Sequence, residues 1–130
     1  MIGQGTQVQD LGFFTAEADM RTKQFYTMEF GTASPQVDLP DANGDRCVGI
    51  LQNKPNTGEA ATVRVSGVSM AVVNATTDIA YGDPLKVASG GKLVKATADA
   101  DMVVAFALEP ATEDGDQIAV LLAFGAQRAS

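Results

Sequence analysis

The residues best suited to chemistry in this chain are carboxylates in two short segments. Asp99 and Asp101 form a pair, and Glu113, Asp114 and Asp116 form a second group. Clustered carboxylates can bind a hard cation or act as an acid–base pair. Both groups lie in glycine- or alanine-rich segments typical of turns, where aspartate bonds its own backbone. Neither has the spacing of a helix-flanked calcium loop, so the pattern favours solvated turns over a metal or catalytic site.

The candidate nucleophiles have no activating partner in the sequence. The chain contains no histidine, which removes the usual general base and every Ser-His or Cys-His dyad. Ser66 and Ser69 therefore have no base. Cys47 begins the apolar run Cys47–Leu51, which favours a buried, inert thiol. Lys92 follows two glycines but lacks the spacing of a phosphate-binding loop. We predict no catalytic residue, no metal ligand and no cofactor.

Composition and charge limit the partners of the chain. Its 130 residues, 45% apolar and 19% charged, suffice for one globular domain with a hydrophobic core. The net charge of −7 disfavours nucleic acid, because neutralisation of phosphates dominates that affinity. The longest apolar run, 118–124, is far shorter than the ~20 residues of a membrane helix. The N-terminus lacks signal-peptide features, and a single cysteine fits synthesis in a reducing cytoplasm.

The elements that must position these residues are predicted to be β-strands. Runs rich in Val, Ile, Leu, Phe and Thr, about five to eight residues long, alternate with turn signals such as 54–58 and 113–116. No window of a dozen residues keeps apolar side chains at helical spacing. The pattern predicts an all-β fold, in the form of a small β-barrel-like or β-sandwich-like domain.

Two irregularities concern the arrangement of the strands. Around Gly67 the apolar positions change from odd to even, which fits either a bulge in one strand or two strands joined by a tight turn. A weak repeat also aligns Met28 with Leu85 and Val63 with Val120. This repeat indicates either two four-stranded halves of a closed or nearly closed barrel, or a chance match between alternating sequences.

The first residues differ from the rest of the chain. Residues 1–10 mix Gly, Gln, Thr and Asp without a periodic apolar face. We therefore predict an extended N-terminal arm over residues 1–19 and a β-barrel-like domain over residues 20–130. Such an arm is either disordered or ordered only on another protein chain.

Two segments near the C-terminus carry more apolar residues than a solvent-facing strand needs. Segments 102–108 and 118–124 are apolar on both faces, whereas a strand with one face in water should alternate. No amphipathic helix is predicted to cover the second face, so it must meet another sheet, another subunit or a partner. The alternative is that the small alanines in both segments are tolerated outside. The pattern favours an oligomer interface.

The stretch 49–68, with the sequence GILQNKPNTGEAATVRVSGV, resembles the signature segment of small bacteriophage capsid decoration, or cement, proteins. Further similar pieces are a strand at 23–26, a Gly-Asp-Pro-Leu segment at 82–85, a hairpin at 91–94 and a strand–turn–strand end at 103–122. The resemblance covers roughly residues 20–124, and the first 20 residues match least. Ala105–Ala107 departs from the family pattern, which tends to have a glycine before the second apolar residue.

The resemblance implies a structural, non-enzymatic virion protein made in the host bacterial cytoplasm. Such proteins bind as homotrimers to the outer surface of an icosahedral head, at three-fold and quasi-three-fold positions between capsomers of the major capsid protein, and stabilise the expanded shell. A trimer would cover the apolar second faces, and the aromatic-bearing arm could add a strand to a capsid protein edge. The expected capsid- or trimer-binding residues are Phe13, Phe14, Phe25, Tyr26, Leu121 and Phe124.

The main alternative is a β-rich ligand-binding or adhesion module for carbohydrate or a host surface. Carbohydrate sites usually present aromatic platforms, and this chain has no Trp and two Tyr. A lipoyl- or biotin-carrier domain would need a lysine at a hairpin tip between acidic and apolar neighbours, a context that Lys54 and Lys92 lack. An enzyme could work through carboxylates alone, but no paired carboxylates stand out.

Overall fold

The computed structural model describes residues 8–41, 47–97 and 101–124. The strands in these ranges are β1 (Gln9–Ala16), β2 (Thr27–Phe30), β3 (Gln36–Asp38), β4 (Cys47–Leu51), β5 (Ala60–Ser66), β6 (Val68–Asn74), β7 (Pro84–Val87), β8 (Leu93–Lys95), β9 (Ala105–Ala107) and β10 (Asp114–Leu122). The all-β prediction is confirmed. None of the described segments forms a helix long and apolar enough to span a membrane.

The strands form two closed five-stranded barrels. The first barrel has the order β1-β3-β2-β4-β5, and the second has the order β6-β8-β7-β9-β10. The pairs β1–β3 and β6–β8 are parallel, and the other pairs are antiparallel. The second barrel therefore repeats the first strand for strand, with β6 to β10 in the places of β1 to β5.

The loops that lead into β2 and β7 follow the same repeat. In the first barrel the Phe25 N–H donates to the Leu51 carbonyl at 2.8 Å, and in the second the Gly82 N–H donates to the Ala107 carbonyl at 2.7 Å. Phe25 and Gly82 also share a positive φ, at 71° and 89°. The repeat seen in the sequence is thus a structural one. It differs from the expectation in having five strands per half, with each half closing on itself.

Gly67 is the point at which the chain passes between the barrels. β5 ends at Ser66 in the first barrel and β6 begins at Val68 in the second. Gly67 has a φ of 91°, a conformation that glycine adopts without the steric cost of a Cβ. Of the two interpretations of the phase change, the structure shows two separate strands. The Leu122 N–H donates to the Gly67 carbonyl at 2.9 Å and ties the junction to β10.

The predicted arm is wrong over Gln9–Ala16, because these residues form β1 and close the first barrel. β1 pairs with β5 through two register shifts, between Gln9 and Asp10 and between Leu11 and Phe14. Each such irregularity breaks the period-two pattern by which a strand is recognised. Residues 1–7 of the predicted arm lie outside the described residues.

Each barrel has its own core, and the two cores meet. Phe14, Met28, Val37 and Leu51 are among the buried residues of the first. The second core consists mostly of residues from β6 to β10 but also contains Ile50, which belongs to β4 of the first barrel. Ile50 is fully buried. The two barrels are therefore held together by apolar packing as well as by the chain.

Candidate partner-binding surfaces

The carboxylates at 113–116 organise a turn and an ion pair. Asp116 Oδ2 accepts hydrogen bonds from the backbone N–H groups of Thr112 and Glu113, both at 3.2 Å. Asp114 Oδ1 accepts one from Lys92 Nζ at 2.9 Å, which raises the pKa of Lys92 above its usual value. The bonds of Asp116 hold the bend that the sequence pattern favoured, but β10 already begins at Asp114, and the contact of Asp114 with Lys92 is a long-range ion pair.

The other carboxylate group has similar roles where the structure describes it. Asp101 accepts hydrogen bonds from Lys86 Nζ at 3.2 Å and from the Thr97 N–H at 3.0 Å. Asp99 lies outside the described residues. Across residues 8–41, 47–97 and 101–124, no three His, Cys, Asp or Glu side chains are grouped so that they could hold a metal ion.

The candidate nucleophiles Ser69 and Cys47 contribute to contacts between the barrels. Ser69 is buried, its hydroxyl accepts a hydrogen bond from Gln52 Nε2 at 2.9 Å, and it donates to the Met70 carbonyl at 2.8 Å. Cys47 is half-buried, less enclosed than the sequence suggested, and packs against the second core. Gln52 and Cys47 come from the first barrel, so both contacts join the two halves.

A groove of about 340 Å³ lies at the barrel junction, lined among others by Lys23, Tyr26, Asn74 and Lys92. Lys23 Nζ lies 4.8 Å from the centre of the Tyr26 ring, and Lys92 bonds to Asp114. Both lysines are thus engaged within the chain. The groove gives no specific support to a ligand-binding module.

The six residues expected to bind partners do not form one surface, although Phe13 and Phe14 are in contact with each other. Phe13 is 68% exposed on the first barrel, and Leu121 is 44% exposed on the second. The other four pack within the protein, Phe14 and Tyr26 against the first core and Phe25 and Phe124 against the second. Phe25 is partly buried and contacts the second core from the first barrel, so it joins the two barrels.

A row of apolar side chains crosses the outside of the second barrel. Leu121 pairs with Val68 on one side and with Phe106 on the other, and Phe106 pairs with Pro84. Val68, Phe106 and Leu121 are 44%, 38% and 44% exposed. We call these four residues the outer row. Met70, which pairs with Ala119 two positions farther along β6, is also exposed.

Sequence reasoning identified only part of the outer row. The surplus of apolar residues at 102–108 and 118–124 correctly marked an uncovered face, which includes Phe106 and Leu121. Val68 was missed as a partner-binding residue. β6 has apolar residues on both faces, and alternation alone does not say that Ala71 and Val73 face inward.

A second apolar surface lies on the first barrel. Phe13, Phe14 and Phe30 line a groove of about 210 Å³ together with the loop 31–36, which contains Pro35. The Phe13 and Phe14 ring centroids are 5.6 Å apart and those of Phe14 and Phe30 are 6.4 Å apart, both edge to face. We call this surface the aromatic groove. Phe30 was missed as a site residue, although the concentration of aromatics before residue 31 was a signal.

Carboxylates border the aromatic groove. Glu17, Glu29, Asp38 and Asp41 line an adjoining depression of about 220 Å³ that shares Phe30 with the groove. Glu17 accepts hydrogen bonds from the Thr32 N–H and hydroxyl, both at 2.8 Å, which lowers the pKa of Glu17. The aromatic groove therefore has an apolar floor and an acidic margin.

The fold defines an all-β protein of two joined barrels with apolar side chains exposed on the outside of each. The family model described as phage cement protein matches residues 6–122. The chain belongs to the phage cement protein family, which confirms the resemblance seen at 49–68. This is a family of structural phage proteins and not of enzymes, so the chain is a structural protein associated with the phage head.

A solved structure has a similar fold. It is the N base of head fiber gp8.5 from bacteriophage phi29, with a TM-score of 0.67 and 15% sequence identity. The match covers 88% of this chain and 95% of that one. At this identity the likeness establishes the fold alone. No curated protein sequence matches the chain.

Proposed function

We propose that this chain is a cement protein that binds the outer surface of an icosahedral phage head. In this proposal a homotrimer contacts the major capsid protein at three-fold and quasi-three-fold positions between capsomers and stabilises the expanded shell. The observation that carries the proposal is the presence of uncovered apolar surfaces on both barrels of a chain that belongs to the cement family.

The physical argument starts from the cost of leaving apolar surface in water. Among the described residues, the large apolar side chains that are exposed lie on the outer row with Met70 or at the aromatic groove, apart from Tyr81. Contiguous apolar patches usually mark an interface. A trimer presents every capsid-binding element three times, so individually weak contacts add to a high avidity.

The experiment is sedimentation of the purified chain with expanded and with unexpanded heads of its phage. We expect saturable binding to expanded heads, electron-microscopy density at three-fold positions, and a higher temperature of head disruption when the chain is bound. Heads pre-saturated with unlabelled chain serve as the control for specific binding. Failure to bind expanded heads at any concentration tested would refute the proposal.

The segment before β1 is proposed to contribute to capsid binding. Removal of residues 1–7 should leave both barrels folded, because the described strands that close the barrels begin at Gln9. Binding to heads should weaken by more than about tenfold, since each trimer loses three contacts. Removal of residues 126–130 is the matched control. Circular dichroism and thermal unfolding should be the same for both shortened chains, and equal head binding would argue against a role for the N-terminal segment.

A further inference from the structure

The outer row of the second barrel has a counterpart in the first. Arg64 pairs with Asp10 on one side and with Ile50 on the other, and Ile50 pairs with Thr27. In the second barrel the equivalent strands are joined in the same way. Leu121 takes the place of Arg64, and Val68 takes the place of Asp10. Phe106 takes the place of Ile50, and Pro84 takes the place of Thr27. We call Thr27, Ile50, Arg64 and Asp10 the inner row.

The second barrel covers half of the inner row. Ile50 and Thr27 have no exposed surface, and Ile50 packs within the second core. The Thr27 N–H donates to the Gly91 carbonyl at 2.9 Å, and the neighbouring Phe25 carbonyl accepts from the Val72 N–H at 3.1 Å. The cover is therefore made by β6 and the β7–β8 hairpin of the second barrel.

The uncovered half of the inner row is charged, unlike the outer row. Arg64 Nε and Asp10 Oδ1 lie 2.7 Å apart in an ion pair whose two side chains are partly exposed to solvent. The same two places in the outer row hold Leu121 and Val68. Among the described residues nothing covers the outer row, and this row is the one that is apolar throughout, as surfaces that bind another molecule usually are.

The covering surface also has a counterpart, and that counterpart is open. Val72 in β6 and Gly91 in the β7–β8 hairpin correspond to Thr15 in β1 and Pro35 in the β2–β3 hairpin, because β1, β2 and β3 take the places of β6, β7 and β8. Pro35 lines the aromatic groove. No described residue covers this part of the first barrel, which therefore presents the counterpart of the surface that covers the inner row.

One difference limits how closely a second copy can reproduce the contact within the chain. The Thr15 N–H donates directly to the Pro35 carbonyl at 3.0 Å. In the second barrel these positions are separated by the inserted segment 25–27, which takes both hydrogen bonds. Because Thr15 and Pro35 already bond to each other, no main-chain segment of a second copy can insert between them. A second copy must therefore contact the aromatic groove through side chains such as Phe13 and Phe30.

From this equivalence we propose that the outer row of one copy is covered by the aromatic groove of a second copy. The copies then associate head to tail, because the two surfaces are different. Such contacts close into a ring when the rotation between copies permits. The ring of three rests on the proposed function, whereas the pairing of row with groove does not. In a closed ring every row and every groove is covered.

Two variants that each remove one surface test the proposal. Leu121→Asp places a charge in the outer row, and Phe13→Asp places one at the groove. Each alone should weaken self-association by more than about tenfold, as expected for a charge in an apolar interface. Tyr81→Asp is the matched control, because Tyr81 is 75% exposed and belongs to neither surface. Sedimentation equilibrium gives the masses, and circular dichroism verifies the fold.

The mixture of the two variants distinguishes this arrangement from others. The intact row of the Phe13→Asp chain should bind the intact groove of the Leu121→Asp chain, giving a one-to-one dimer and nothing larger. Dimers of the Phe13→Asp chain by itself would indicate a row-to-row contact and overturn the proposal. If Leu121→Asp and Phe106→Ser both associate as the natural chain does, the proposal is also overturned. If Leu121→Asp in addition loses head binding, the outer row contacts the capsid and not a second copy.

Association on the head is tested with cysteines in the two surfaces. A chain with Phe106→Cys and Phe30→Cys should form disulfide-linked dimers and trimers on expanded heads, and a chain with Tyr81→Cys and Phe30→Cys should not. Copies that stay monomeric in solution and remain uncrosslinked on heads overturn the proposal. If head-to-tail association occurs but no copy binds heads, the proposed function fails and the interface stands. If the chain binds heads but changes in neither surface affect association, the proposed interface fails and the proposed function stands.

Discussion

The two barrels share one topology, but the inner row of the first is partly buried and partly charged, whereas the outer row of the second is apolar and exposed. In the first barrel Ile50 is buried under the second barrel and Arg64 pairs with Asp10. In the second barrel Phe106, Leu121 and Val68 occupy the equivalent places and are exposed. The strand positions are the same, so the difference reflects what covers each row. In a repeated fold, a surface that is exposed in one repeat can therefore be compared with the equivalent surface that is covered in the other.

The largest contrast is expected between Ile50→Ala and Phe106→Ala. Ile50 is fully buried between the barrels, so its truncation should lower the free energy of unfolding by about 2–5 kcal/mol. Phe106 is exposed in the isolated chain, and its truncation should cost less than about 1 kcal/mol at concentrations where the chain is monomeric. Urea denaturation measures both. Equal losses would mean that the two rows are covered alike.

A smaller contrast is expected at Gly49 in β4 and Ala105 in β9. A Cβ on Gly49 would clash with the Arg64 carbonyl and lie 2.7 Å from Val63 Cγ1, so Gly49→Ala should destabilise by about 1–3 kcal/mol. Ala105 occupies the equivalent place, opposite Leu85 as Gly49 is opposite Met28, and is buried with its side chain accommodated.

The reverse substitution completes this pair. Ala105→Gly should cost about 0.5–1 kcal/mol, from the added backbone freedom of glycine in the unfolded chain. Thermal unfolding of the two variants at one pH gives the comparison. A stable Gly49→Ala chain would show that β4 can move away from β5 within the first barrel.

The smallest effect is expected at Asp10, whose counterpart in the outer row is Val68. The hydrogen bond from Arg64 holds the pKa of Asp10 below its usual 3.8. This pair therefore stabilises the fold above pH 3.8, and the contribution is lost as the pH falls through the lowered pKa. Asp10→Asn should cost about 0.2–1 kcal/mol at pH 7, as for other solvent-accessible pairs.

The pH profile separates this ion pair from other acid effects. The difference in melting temperature between the natural chain and Asp10→Asn should shrink toward zero as the pH is lowered from 7 to 2. Asp78→Asn, at an exposed residue outside both rows, is the control and should run parallel to the natural chain. A difference that is constant with pH would mean that Asp10 acts by packing rather than by charge.

Much of the fold was predictable from local patterns. β5 and β10 alternate or are continuously apolar between clear turns, and the family was recognisable from the segment that includes β5. β1 was missed because its two register shifts interrupt the alternation. Ile50 lies in an apolar run, and no local signal says that its side chain enters the core of the other barrel.

The candidate surfaces were predictable only in part for a similar reason. The sequence showed a surplus of apolar residues around Phe106 and Leu121 and placed Phe13 among the expected partner-binding residues. The pairing of Val68 with Leu121, and the proximity of Phe30 to Pro35, depend on how distant strands align. Such surfaces are products of tertiary structure, and the equivalence between rows becomes visible only when both barrels are closed.

The Gly67 junction has a mechanical consequence for a protein that is attached to a shell. A connection of one residue has no spare length, and the hydrogen bond from Leu122 to the Gly67 carbonyl fixes it at its middle. A displacement imposed on one barrel is therefore transmitted to the other at once, without a linker that first straightens. A force that separates the two barrels would therefore act on the β5–β6 connection and on the packing of Ile50 in the second core at the same time.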